Sequence, residues 1–253
     1  MILPFLYLLN VVLLTRLPLL LRDDRVRPRS MVVAGLLQLA ALTVFVWNRG
    51  VALAGVAIIC LGVIGWYVER PEQGLLPARR LLILALYFLV FSVLCSPFLG
   101  LRFRDALAGV GGNAAEYFLP AKCLGTVQWR SFHAQLLGVL LSLNEANLLI
   151  RWVIEKFIYR PAQTGDAAAP PLTLRKKEYD RGRLIGLLER LLVFFFVVQN
   201  QFMALGYVVA AKGIARFKEL ENRDFADYFL IGTMLSIVTA GVVALLVKNL
   251  LLS

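Results

Sequence analysis

The sequence predicts an all-α, polytopic membrane protein of about seven transmembrane helices, and three observations carry that expectation. Of its 253 residues 60% are hydrophobic and only 17% charged, with a mean hydropathy of +0.75; a soluble domain of this size needs more polar side chains for its surface. The apolar residues fall into runs long enough for a helix to cross a hydrocarbon core of about 30 Å. Short segments rich in Arg and Lys separate those runs, where basic residues meet lipid headgroups and set topology. The net charge of +11 lies mostly in these segments. Membrane lipids are therefore the expected partners, and nucleic acid is not.

The first run, residues 1–21, is followed at once by RDDRVRPRS. It has neither the basic start nor the small-residue cleavage site of a signal peptide, so it reads as a retained span. Residues 31–47 and 51–68 flank Asn48-Arg49-Gly50, a tight helical hairpin, and Gly55, Gly62 and Gly65 in the third run are of the kind that lets helix backbones approach closely. The polar segment ERPEQGLLPARR leads into a fourth run at 81–99.

Residues 100–133 mix Arg102, Arg104, Asp105, Glu116, Lys122 and Arg130 with apolar groups. An interfacial helix, a re-entrant loop and the start of the next span all stay open there. Gly109 to Gly112 follows no strand and precedes no GK[ST], so it is a flexible connection and not a phosphate loop. Residues 134–157 are the fifth run. The segment 159–180, PAQTGDAAAPPLTLRKKEYD with its two preceding residues, has the Pro, Ala and charged composition of an exposed linker. It divides an amino-terminal membrane half, 1–158, from a carboxyl-terminal unit, 181–253. The sixth and seventh spans fall at 191–211 and 228–250. With the amino terminus outside, the inside segments carry 13 Lys or Arg residues against 9 outside, which favours N-out and C-in.

The chain also carries a candidate parallel internal repeat. GLRFRDAL from Gly100 and AEYFL from Ala115 are echoed by GIARFKEL from Gly213 and ADYFL from Ala226. Repeats of this kind are common in transporters.

Two polar features and one small-residue stripe stand out against the apolar background. Taken as one helix, residues 191–211 run for about 21 residues at roughly 1.5 Å each and place Gln199, Asn200 and Gln201 at the midplane. Positions eleven apart then line up, giving one seam of Arg190, Gln201 and Lys212 and a second of Glu189 and Asn200. Both seams are expected to face protein or water, as a path for an ion or solute or as hydrogen-bonded packing. In the fifth run Asn144, Asn147 and Arg151 share a face, with Glu145 about 100° round. This cluster suits either a cation or proton site or a structural pair of Glu145 with Arg151 or Arg190. In the seventh run Gly232, Ser236, Ala240 and Ala244 recur every four residues, a small-residue stripe for helix packing within or between chains.

Catalytic signatures are sparse. His133 is the only histidine, too few for a metal set or triad. Cys60, Cys95 and Cys123 have no paired spacing and read as buried thiols. No cofactor or metal is implied, and the chain leans away from being an enzyme.

The block GRLIGLLERLL, AAKGIARFKEL and ADYFLIGTMLS, over about residues 181–236, resembles the carboxyl-terminal part of a family of uncharacterised bacterial multi-pass inner-membrane proteins. That family's pattern is approximately GRxIGxLERxL, AAKSIARFxE and AEYxLIGTLLS. Gly213 stands where the pattern has Ser, and the family's amino-terminal His and Asp-Phe motif has no counterpart here. The resemblance implies a bacterial inner membrane. By matching positions it singles out Glu189, Arg190, Lys212, Arg216, Tyr228 and Thr233. Two functions of different class follow as expectations. One is a channel-like or transporter-like passage lined by Glu145, Asn147, Gln199 and Asn200. The other is a non-catalytic subunit or scaffold, homo-oligomeric or bound to a partner membrane protein.

Overall fold

A computed structural model describes residues 2–18, 28–69, 76–96, 101–104, 129–157, 172–215, 217–218, 221 and 223–252. The described residues are about 90% helical and contain no strand. Four helical stretches are long and apolar enough to cross a membrane: Arg49–Val68, Leu76–Leu94, Trp129–Val153 and Phe229–Leu251. Two compact units divide the chain, Met1–Leu140 and Leu141–Ser253.

Unit 1 is built from α1 (Ile2–Arg16), α2 (Pro28–Ala41), α3 (Arg49–Val68), α4 (Leu76–Leu94) and α5 (Trp129–Leu140). Helix α1 packs against α2, α4 and α5, while α3 packs against α2 and α4. It ends before Pro18, whose ring disfavours helix at the residue before it. Leu8, Val12, Ala54, Ile58, Tyr87 and Phe91 meet in its core. The outer faces of α2 and α3 stay apolar, with Val32, Leu36, Val56, Ile59 and Val63 all exposed, a pattern compatible with a membrane protein.

The expected second span, 31–47, is not one helix. It stops at Ala41, passes through a 3₁₀ turn at Leu42–Val44 and becomes extended at Phe45, where Thr43, Val44, Phe45 and Val46 form a β-branched and aromatic run that favours extended backbone. Phe45 forms an antiparallel bridge with Phe103, and the two rings stack with centroids 4.8 Å apart. Part of the mixed segment is thus placed: 101–104 lies alongside Phe45, and Trp129 to His133 opens α5. Residues 105–128 are outside the described residues, and with them most of the first copy of the candidate repeat. Asn48 caps α3, its Oδ1 accepting from the Val51 amide at 2.9 Å, so the Asn48-Arg49-Gly50 turn is in effect a helix start.

Unit 2 opens on a π-helical turn, Leu141–Glu145, continuous with α6 (Ala146–Phe157), and continues with α7 (Leu172–Val198), α8 (Phe202–Ala215) and α9 (Arg223–Leu252). Of the segment expected as a linker, 159–171 is outside the described residues and the remainder is the start of α7. Helix α9 packs along α7 and also touches α6 and the π turn. Its inner stripe, Thr233, Ser236, Ala240, Ala244 and Val247, is buried. Three residues of the small-residue stripe therefore pack inside this chain, whereas Gly232 has nothing within 4 Å of its Cβ position. Ala240→Leu is expected to cost about 1.5 kcal/mol by overpacking this seam, measured as a lowered unfolding midpoint in mixed micelles.

The largest departure from expectation lies in the sixth run. Residues 191–211 do not form one span; α7 ends at Val198 and α8 begins at Phe202. Asn200 adopts φ 59°, the left-handed conformation that ends helices. Its amide bonds to the Val197 carbonyl at 3.2 Å, and the Gln201 amide reaches back to Phe196 O at 2.7 Å. This pair of bonds is a Schellman closure, with Asn in place of the usual Gly. The chain then doubles back, since Lys212 on α8 pairs with Glu189 on α7. Along one straight helix those residues would stand about 34 Å apart.

Candidate functional site

In the interior of unit 2, α6 and the π turn bring Ser142, Asn144, Glu145 and Asn147 together, all buried. A π turn holds an extra residue, which rotates the following side chains relative to α-helical register. Glu145, expected about 100° off the face of its neighbours, is thereby buried with them. Asn144 Nδ2 donates to Glu145 Oε1 at 2.9 Å. Across from them Arg190 on α7, 4% exposed, donates from Nε to the Ser142 carbonyl at 3.0 Å and from a terminal nitrogen to Asn147 Oδ1 at 3.3 Å. Arg151 is half-buried on α6. The arrangement is a charge-assisted lock between helices.

The other polar residues of the sixth run belong elsewhere. Gln199, Asn200 and Gln201 are exposed at the hairpin tip, where Lys248 Nζ donates to Asn200 Oδ1 at 2.6 Å. Glu189 and Lys212 join the two hairpin arms, with Lys212 Nζ also 5.1 Å above the Phe229 ring. Neither predicted seam exists: the first needed an unbroken helix from Arg190 to Lys212 and the second one from Glu189 to Asn200, whereas α7 ends at Val198 and Asn200 is left-handed. The residues expected to line one passage are thus divided between a buried lock and an exposed turn.

Unit 1 holds a feature that sequence reasoning missed. A cleft of about 110 Å³ opens between the last turns of α1 and α3 and the first turns of α2 and α4. At its mouth stand Arg16, Ser30, Glu69 and Arg80. Arg80 is 3% exposed and grips Glu69 with two bonds of 2.7 and 2.9 Å, while a terminal nitrogen of Arg16 donates to the Arg80 carbonyl at 2.9 Å. Deeper in, Tyr87 donates to Gln38 Oε1 at 3.2 Å, and Gln38 Nε2 donates to Thr15 Oγ1 at 2.8 Å. Thr15 passes the chain on to the Val12 carbonyl at 2.7 Å. Gly35 and Gly62 line the cleft, and a Cβ at either would meet nothing within 4 Å. Gly62 thus leaves space open, instead of drawing helices together as expected. The available signal was Gln38, a lone amide within an apolar run.

Two single residues complete the comparison. Asn10 on α1 faces α5, its Nδ2 donating to the His133 carbonyl at 2.9 Å and lying 3.3 Å from His133 Nδ1. Cys95 is buried but Cys60 is exposed on α3, which corrects the expectation for Cys60; Cys123 is outside the described residues. No protein family, curated protein or solved structure matches this chain.

Proposed function

We propose that the chain is a multi-pass protein of a bacterial inner membrane that acts as a carrier, receiving a small solute in the unit 1 cleft. The cleft carries this reading: it joins a charged mouth at the helix ends to a half-polar interior, inside helices whose outer faces are apolar. A concave site with a few convergent polar groups is the usual form of a ligand site. Passage along the buried lock around Arg190 is not part of the proposal.

The hairpin also revises the proposed orientation. If α7 and α8 enter and leave on one side, residues 212–227 move to the inside face. The balance of basic residues then becomes 17 inside against 5 outside, a stronger bias than a seven-span count provides. The amino terminus stays outside and the far end of α9 emerges outside as well. A periplasm-active phosphatase reporter fused after Leu252 is expected to be active; an inactive fusion restores the seven-span topology.

Cysteine labelling tests the cleft. In a background with Cys60, Cys95 and Cys123 replaced by Ser, Gly35→Cys in phosphatidylcholine vesicles should react rapidly with a membrane-impermeant maleimide at the inside face. Val63→Cys, on the lipid-facing side of α3, should not. Equal protection of both removes the carrier reading.

One observation favours the alternative of a membrane subunit. Helix α8 has no buried residue, and Met203, Tyr207 and Ile214 are each more than 70% exposed. A stable stoichiometric partner after mild solubilisation, lost in Tyr207→Asp, would support it.

A further inference from the structure

We infer that α8 thins the bilayer beside unit 2, so that the lipids fitted to its surface are those with short acyl chains. The inference goes beyond the cleft and rests only on the hairpin and on the membrane reading of the chain. Length is the first ground. Helix α8 has 14 residues and runs about 21 Å, against about 30 Å for a hydrocarbon core. Both of its ends are polar. Gln199, Asn200 and Gln201 are exposed at the tip, while Lys212 stands in the last turn and Lys218 is exposed just beyond. The other arm offers little more, since the part of α7 between Arg183 and the tip is about as long.

The ties at the two ends of the hairpin are the second ground. At the base Lys212 pairs with Glu189, and its Nζ lies 5.1 Å above the Phe229 ring on α9. At the tip Lys248 of α9 donates to Asn200 Oδ1 at 2.6 Å. Phe229 and Lys248 stand about 28 Å apart along α9, whereas Lys212 and Gln201 stand about 16 Å apart along α8. The two lysine stems, lying along apolar surface with their charged heads at polar partners, close that difference of about 12 Å. The hairpin is thus strung between the two ends of a full-length span, although its own apolar length falls short. Sinking the exposed tip amides into hydrocarbon is costly. Drawing the headgroups inward to meet them has only a modest cost for each Å of mismatch.

Breadth is the third ground. No residue of α8 is buried, and the exposed positions from Phe202 through Met203 and Tyr207 to Ala211 cover about 180° of its circumference. A single docked helix covers a stripe of about 100°. A broad convex face of this kind suits fluid acyl chains, and the shortness of the face selects short ones.

The test uses the full chain, with Cys60, Cys95 and Cys123 replaced by Ser and a bimane dye attached at Tyr207→Cys. The control is the same dye at Val238→Cys, an exposed position on the 23-residue apolar stretch of α9. Both are reconstituted in mixed phosphatidylcholine vesicles in which brominated lipids, with chains of about 14 or about 22 carbons, quench the dye by contact. At position 207 the short-chain lipid should compete for contact about threefold better than the long-chain one, and at position 238 that preference should vanish or reverse. Met203→Cys, on the same face, repeats the reading in a second variant. Equal quenching by the two lipids at position 207 overturns the inference, as does the same short-chain preference at both positions. Quenching by neither lipid at position 207, with normal quenching at 238, also overturns it and assigns the face of α8 to protein. Labelling of Gly35→Cys bears on the carrier reading alone, so the two stand or fall separately.

Discussion

Arg190→Met is expected to lower the stability of unit 2 by about 3 kcal/mol, among the largest effects of any single substitution in this chain. Met preserves much of the side-chain volume, so the loss is chiefly one of charge and donors. The guanidinium is 4% exposed, and without it the Ser142 carbonyl and the Asn147 amide oxygen lose the donors they have at 3.0 and 3.3 Å. A buried acceptor left without its partner costs about 1–3 kcal/mol. Part of that is recovered in a membrane, because the unfolded helices find other partners. Arg190→Lys keeps the charge but has no planar fork to reach two acceptors, and should lie about midway. Unfolding in mixed micelles measures both. A change below about 0.5 kcal/mol in Arg190→Met would show that the contacts do not lock the helices.

Asn200→Val is expected to destabilise by about 2–3 kcal/mol, and Asn200→Gly by less than about 1. Valine at φ 59° sets a branched Cβ against the backbone, and it removes the acceptor of Lys248 at 2.6 Å. Glycine takes the same backbone conformation freely, so it loses only the side-chain bond. The contrast separates conformation from contact. A cross-link between cysteines replacing Glu189 and Lys212 should form readily in the parent hairpin and in Asn200→Gly, and slowly in Asn200→Val. Were the segment a continuous helix, no variant would cross-link.

Composition was enough to read helices and membrane compatibility, because bilayer-facing surfaces leave a strong average signal. Where chain direction changes, the signal is carried by one or two residues. Gln199-Asn200-Gln201 reads equally as midspan amides or as a helix stop, and periodicity over 191–211 does not distinguish them. Only the tolerance of Asn for left-handed backbone favoured the stop. The polar cluster at 144–147 was visible as a set of residues, but its geometry was not, since the π turn at Leu141–Glu145 shifts the register on which a helical projection depends. The cleft was the least legible feature. Its walls come from four helices, and its openness depends on what Gly35 and Gly62 do not touch.

The bond between Lys248 and Asn200 joins positions 48 apart in sequence, and this has a consequence for biogenesis. During synthesis at the ribosome, the hairpin tip emerges well before its cationic partner. Until the last helix arrives, the Asn200 side-chain oxygen depends on water or on the insertion machinery. Unit 2 therefore completes its assembly late, and a nascent chain arrested before Lys248 should be more open to proteolysis at the tip than one arrested after it.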